Sequence, residues 1–228
     1  FEKTLASLQE AYGDGGRFFF DEMQVVPQWE RIVRRLLDSG RKVCVTGSNA
    51  SMLSRELGTK LTGRHLDAEL FPFSFEEAAT LWKEKPSRNS VGRYLESGGF
   101  PEYLKTGKTE VLQRLFDDVL SRDIVVRHGI RNSRQMRELC IALTSNAGNE
   151  FSYNSLKKTF AFPAIQTVID YVSFFEDAYL LFAVRRFEYS YKKSLVAPKK
   201  IYSIDNGLAR SVSTTLTKDK GKLLENAV

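Results

Sequence analysis

Two adjacent acids, Asp21 and Glu22, carry the clearest chemical potential in the chain, because they end the apolar run Phe18-Phe19-Phe20. A run of four or five residues is too short for a helix, and its aromatics favour a strand. A buried strand ending in two carboxylates delivers hard oxygen donors to the rim of a sheet. There Asp21 can hold Mg2+ on the β- and γ-phosphates of a nucleotide through water. Glu22, pointing the other way, can polarise an attacking water. The plainer alternative is a pair of acids that closes a strand and opens a turn.

The next apolar run extends the chemical reading. Lys42-Val43-Cys44-Val45-Thr46 closes on Gly47-Ser48-Asn49. In P-loop ATPases the strand beside the hhhDE (Walker B) strand sets a polar side chain next to the γ-phosphate. Ser48 or Asn49 could serve there. Gly63-Arg64 then precedes a further strand expected at 65–70, and the Arg64 guanidinium could offset phosphate charge in its own subunit or a neighbouring one. Each feature alone also reads blandly, Arg64 as a surface arginine and His65 as a strand-edge residue. The phosphate-cradling GxxxxGK[ST] does not occur in these residues. Gly107-Lys108-Thr109 imitates its end, but Glu102 stands where its first glycine belongs, so the tripeptide reads as a loop before a helix. Any phosphate loop is expected ahead of Phe1, and the chain alone should bind nucleotide poorly.

Several elements must position these groups. Residues 2–12 read as a helix. Trp29, Ile32, Val33, Leu36 and Leu37 form one stripe of a helix over 27–39, with Pro27 at its start and Gly40 at its stop. A short helix at 50–57 follows the second strand. Strand, helix, strand, helix, strand is an α/β order, and the unbroken apolar strands suit a parallel sheet covered on both faces. Beyond residue 90 the pattern turns helical, over 109–127, 133–146, 153–160 and 164–177. Two strand-like runs follow at 179–186 and 200–204. Helices, a turn, a helix and a two-stranded ribbon make the order of a winged helix. The fold class expected is α/β: a partial P-loop (RecA/AAA-like) parallel sheet followed by a mainly helical, winged-helix-like domain. The expected domains are 1–84, 91–210 and the start of a further module at 211–228, with Lys85–Ser90 as linker.

Composition sets the outer bounds. The 228 residues hold 34 Lys+Arg and 28 Asp+Glu, and no apolar run approaches a membrane span. Two cysteines and two histidines exclude a disulfide framework and a Cys- or His-built metal centre. With no cleavable signal visible, a reducing cytoplasm is the expected compartment. Cys44, Cys140 and Trp29 read as core, and His128 as a cation at a helix C-terminus. Charge is uneven: residues 1–80 carry a net −2 and residues 81–228 a net +8. The chain opens on Phe1 and stops inside the helix-like KLLENAV, which reads as a fragment.

The stretch from Phe18 to Phe75, with the acids just after it, resembles the prokaryotic AAA-type ATPases whose C-terminal half is a domain of unknown function. The shared residues are Asp21, Glu22, Gln24 and Trp29; Gly47, Ser48 and Leu53; Leu61, Gly63 and Arg64; and Leu70, Pro72, Ser74, Phe75 and Glu77. The resemblance continues through Gly98-Gly99-Phe100-Pro101-Glu102, Arg122-Asp123-Ile124, Phe151-Ser152-Tyr153 and Asp205-Asn206-Gly207-Leu208, covering some 190 residues. It implies an N-terminal P-loop segment and a C-terminal nuclease-like module outside this chain, with ATP and Mg2+ as ligands of the whole protein. A homo-oligomer is a further partner it brings into consideration.

A second function class rests on the basic half. Arg185, Arg186, Lys192, Lys193, Lys199 and Lys200 cluster with Phe187, Tyr189 and Tyr191. A basic, aromatic wing can lie along a phosphate backbone. Against that, the helix expected to read bases, 164–177, has no Lys or Arg and carries Asp170, Glu176 and Asp177. The alternatives are a nucleic-acid-binding winged helix and one that serves as a packing or dimer module.

Overall fold

The computed structural model describes residue 7 and residues 16–48, 66–190, 197–213 and 219–228. Packing divides the chain into two compact units, Phe1–Glu69 and Leu70–Val228. Of the helix expected at 2–12 only Ser7 is described, as helical, and the helix expected at 50–57 lies outside the described residues.

In the first unit, β1 (Arg17–Phe20) pairs in parallel with β2 (Lys42–Val45), with Phe18 opposite Val43 and Phe20 opposite Val45. The helix α1 (Trp29–Asp38) joins them and buries Trp29, Ile32, Val33 and Leu36. These meet Phe18, Phe20, Val43 and Val45 on one face of the sheet. Alternation along a strand sends the intervening side chains the other way. Phe19 is 75% exposed, and Cys44 is exposed too. Among the described residues this corrects two expectations, a sheet covered on both faces and a core Cys44. Among the described residues one helix, α1, covers one face. Residues 66–70 form no strand, because a strand requires a ladder partner and the described residues supply none there.

The second unit is mostly helical. Its opening helix α2 (Phe75–Trp82) is fixed by a capping box, in which Glu77 N–H donates to Ser74 Oγ and the Glu77 carboxylate accepts from Ser74 N–H. The same device at Ser87 and Ser90 starts α3 (Arg88–Ser97). Three residues expected to act as linker, 88–90, are therefore helical, and Ser90 is buried. Next come α4 (Pro101–Thr106) and α5 (Thr109–Asp118). Gly107 ends α4 at φ 67° and Lys108 caps α5, so the Gly-Lys-Thr tripeptide is a helix–helix joint. From Val119 to Val126 the helix continues as a π-helix. Leu112, Phe116, Leu120 and Ile124 are all buried, at a strict spacing of four. An α-helix drifts forward at that spacing, and the wider π turn brings Leu120 and Ile124 back onto the stripe.

The rest runs α6 (Ser133–Ser145), β3 (Glu150–Phe151), α7 (Tyr153–Thr159), α8 (Ile165–Asp177), β4 (Leu181–Arg185), β5 (Lys199–Ser203), α9 (Asn206–Val212) and α10 (Lys220–Ala227). The three strands form an antiparallel sheet in the order β3-β5-β4. Met136, Leu139, Cys140, Val168, Val172 and Phe175 fill the core between α6 and α8. No helix among the described residues is long and apolar enough to cross a membrane.

Asp205 locks this unit together. Its buried carboxylate accepts from Gly99 N–H at 2.6 Å and from Leu208 N–H at 2.8 Å. A Cβ at Gly99 would overlap the Phe73 carbonyl, and one at Gly207 the Ser97 carbonyl. The Gly98-Gly99-Phe100-Pro101 turn closes on Asp205 and on Phe73. His128 stacks on Phe174 with ring centroids 3.7 Å apart. Burial first, then the Arg127 charge, lowers its pKa.

Candidate functional site

Parallel pairing puts the carboxyl ends of β1 and β2 at the same rim, and the register, with Phe20 opposite Val45, carries Asp21 to Thr46. Open α/β sheets bind ligands at this edge. The ladder runs past the strands proper: Thr46 N–H donates to Phe20 O at 2.9 Å, and Met23 N–H donates to Thr46 O at 3.1 Å. Asp21 and Glu22 are both exposed. Asp21 Oδ1 accepts a hydrogen bond from the Thr46 hydroxyl, and the same hydroxyl accepts from Glu22 N–H at 3.2 Å. Glu22 sits in the left-handed region at φ 50°, ψ 42°, just before a 3-10 turn over Met23–Val25. For a residue with a side chain this conformation costs about 1–2 kcal/mol, and such outliers cluster at working sites.

Of the residues singled out in the sequence, Asp21, Glu22 and Ser48 therefore share one rim. Ser48 is half-buried, two residues beyond Thr46. Asn49, Arg64 and His65 lie outside the described residues, as do Lys192 and Lys193. Thr46 was missed as a site residue. The available signal was a hydroxyl directly after an apolar strand, but only the cross-strand register shows which acids it meets.

Among the described residues the rim offers carboxylate and hydroxyl oxygens. Among the described residues no group of three or more His, Cys, Asp or Glu could hold a metal by itself. That donor set suits Mg2+, which takes one or two protein carboxylates and completes its shell with phosphate and water.

Among the described residues, three cations of the basic wing have partners. Lys199 Nζ donates to Tyr153 OH at 2.8 Å, Lys200 Nζ to Glu225 Oε1 at 2.5 Å, and Arg186 Nε lies 3.4 Å from Glu188 Oε1. Arg185, Phe187 and Tyr189 are exposed. On α8, Gln166 donates to Asp170 at 2.7 Å, and Glu176 accepts from Ala183 N–H at 2.9 Å.

A small parallel sheet with acids at its carboxyl rim is followed along the chain by a mostly helical unit. Residues 1–79 match the model of an AAA domain and residues 88–219 that of a Domain of unknown function (DUF8612), so the chain belongs to the AAA-type family that carries this second domain. An uncharacterized protein of Methanocaldococcus jannaschii is 34% identical over 230 residues, covering 92% of this chain and 51% of that protein. An uncharacterized protein of Haemophilus influenzae is 28% identical over 239 residues, covering 100% of this chain and 58% of that protein. The chain spans about half the length of the curated relatives it matches. No solved structure gives a significant match.

Proposed function

We propose that this chain is the acid-bearing part of an ATP-hydrolysing AAA-type ATPase, followed by a winged-helix domain that serves as a packing module. The observation that carries the reading is the acid pair at the carboxyl rim of a parallel sheet, tied by Thr46 to the neighbouring strand. Asp21 would hold Mg2+, which when bound offsets negative charge on the β- and γ-phosphate oxygens. Glu22 orients a water and takes its proton as the water oxygen bonds to the γ-phosphorus and the bond to the β–γ bridging oxygen breaks. Ser48 or Asn49 would contact the γ-phosphate, and Arg64 would offset charge developing there. The activity belongs to the full-length protein, where a phosphate loop would complete the site.

The winged-helix reading is supported by the order α6-β3-α7-α8-β4-β5 and the sheet order β3-β5-β4. The engaged lysines and the acidic α8 favour packing over nucleic-acid binding. Steady-state ATP hydrolysis by the full-length protein tests the main reading. Glu22→Gln should lower turnover by about 10²–10⁴-fold. Wild-type turnover in that variant removes Glu22 from its role.

A further inference from the structure

We infer that Thr46 is the positioning residue for both acids, setting the metal-binding oxygen of Asp21 and the backbone of Glu22 through one hydroxyl; this rests on the ATP-hydrolysis reading. A hydroxyl has one proton and two lone pairs. Here the proton goes to Asp21 Oδ1, and a lone pair accepts Glu22 N–H at 3.2 Å. The donation occupies Oδ1 and leaves Oδ2 free of that hydrogen bond, so the carboxylate meets a cation in one orientation. The acceptance anchors Glu22 in its left-handed conformation, the backbone geometry that sets where its side chain departs from the rim.

The anchor itself is firm. Thr46 N–H and C=O are both tied into the ladder with β1, through Phe20 O at 2.9 Å and Met23 N–H at 3.1 Å. The two exposed acids thus take their geometry from a strand end rather than from a loop, which is how a reactive constellation keeps its precision. A purely structural role fits poorly. Thr46 is exposed, and water could satisfy its hydroxyl without any contact to the acids. The polar residue two positions on, Ser48, keeps the phosphate-facing duty proposed for it.

The test uses the full-length protein, with Glu22→Gln as the control on the underlying reading and with Thr46→Val, which keeps the shape and removes the hydroxyl. Thr46→Val should lower kcat by about 10–100-fold, the usual effect of removing a group that orients a ligand residue. It should raise the Mg2+ concentration needed for half-maximal turnover and weaken Mn2+ binding in the presence of ADP, read by electron paramagnetic resonance. Thr46→Ser should restore all three. A Thr46→Val protein with wild-type kcat and Mn2+ affinity, beside an inactive Glu22→Gln, overturns the positioning role and leaves the ATPase reading standing. Should Thr46→Val not fold, Thr46→Ser alone decides: wild-type Mn2+ binding and kcat support the role, and loss of both overturns it. An active Glu22→Gln overturns the ATPase reading and this inference with it.

Discussion

Asp21 and Asp205 show how one residue type serves two ends. Asp21 stands exposed at a sheet rim, with its carboxylate aligned by one hydroxyl. Asp205 is buried, and burial pushes its carboxyl above the usual range against the opposing hydrogen bonds from Gly99, Leu208 and Gly207 N–H. Asp205→Asn keeps the shape but turns an NH2 toward the Gly99 N–H, leaving a buried donor unpaired. That variant should lose about 1–3 kcal/mol in urea denaturation; unchanged stability would mean the lock carries no weight. The two acids also differ in legibility. Asp21 was readable because its chemistry follows from three preceding phenylalanines. The partners of Asp205 lie 106 residues away at Gly99, and no local pattern announces them. Thr46 was hidden for the same reason, since its role depends on the register between β1 and β2.

The helices with a clean apolar stripe, α1, α5, α6 and α8, were legible within one or two residues at most ends. Those missed, α2, α3, α4 and α9, have few buried residues of their own and start on short signals: caps at Ser74, Ser87 and Asp205, and Pro101 in the first turn of α4. Caps are short signals that resemble turns until packing selects them. The switch from α5 to a π-helix was also invisible, because the same four-residue spacing reads as one long helix. At the other end of the unit, α10 docks through polar contacts. Lys200 and Tyr202 both donate to Glu225 Oε1, and the Asn226 amide pairs with Ser203 N–H and C=O. The Lys200 hydrogen bond, then that of Tyr202, holds the Glu225 carboxyl below its usual range. A lowered folded-state pKa gives stability that is present above the unfolded value of about 4.3 and is lost as pH falls through the folded one. Wild type should therefore melt above Glu225→Gln at neutral pH, and the gap should close on acidification. A gap that persists at the acid end would assign the effect to shape rather than charge.

For the molecule as a whole, charge was legible as an imbalance but not as a surface. The basic half suggested a phosphate-binding wing, yet Lys199 and Lys200 turn to Tyr153 and Glu225. A charge count cannot show which cations are already paired. We expect no shift of duplex or single-stranded DNA in gel electrophoresis at about 0.15 M salt, where exposed charges are well screened. A shift at that salt, abolished by joint Arg185→Ala and Arg186→Ala, would restore nucleic-acid binding as the role of the second unit.

The account turns on two neighbouring carboxylates having different duties at one rim, and one comparison reaches that directly: Mg2+-dependent ATP binding and turnover, measured together on the full-length wild type, Asp21→Ala and Glu22→Gln. We predict that Glu22→Gln binds ATP with wild-type affinity and does not hydrolyse it, while Asp21→Ala loses the Mg2+ dependence of binding. Turnover at the wild-type rate in either variant, or the same defect in both, would contradict it.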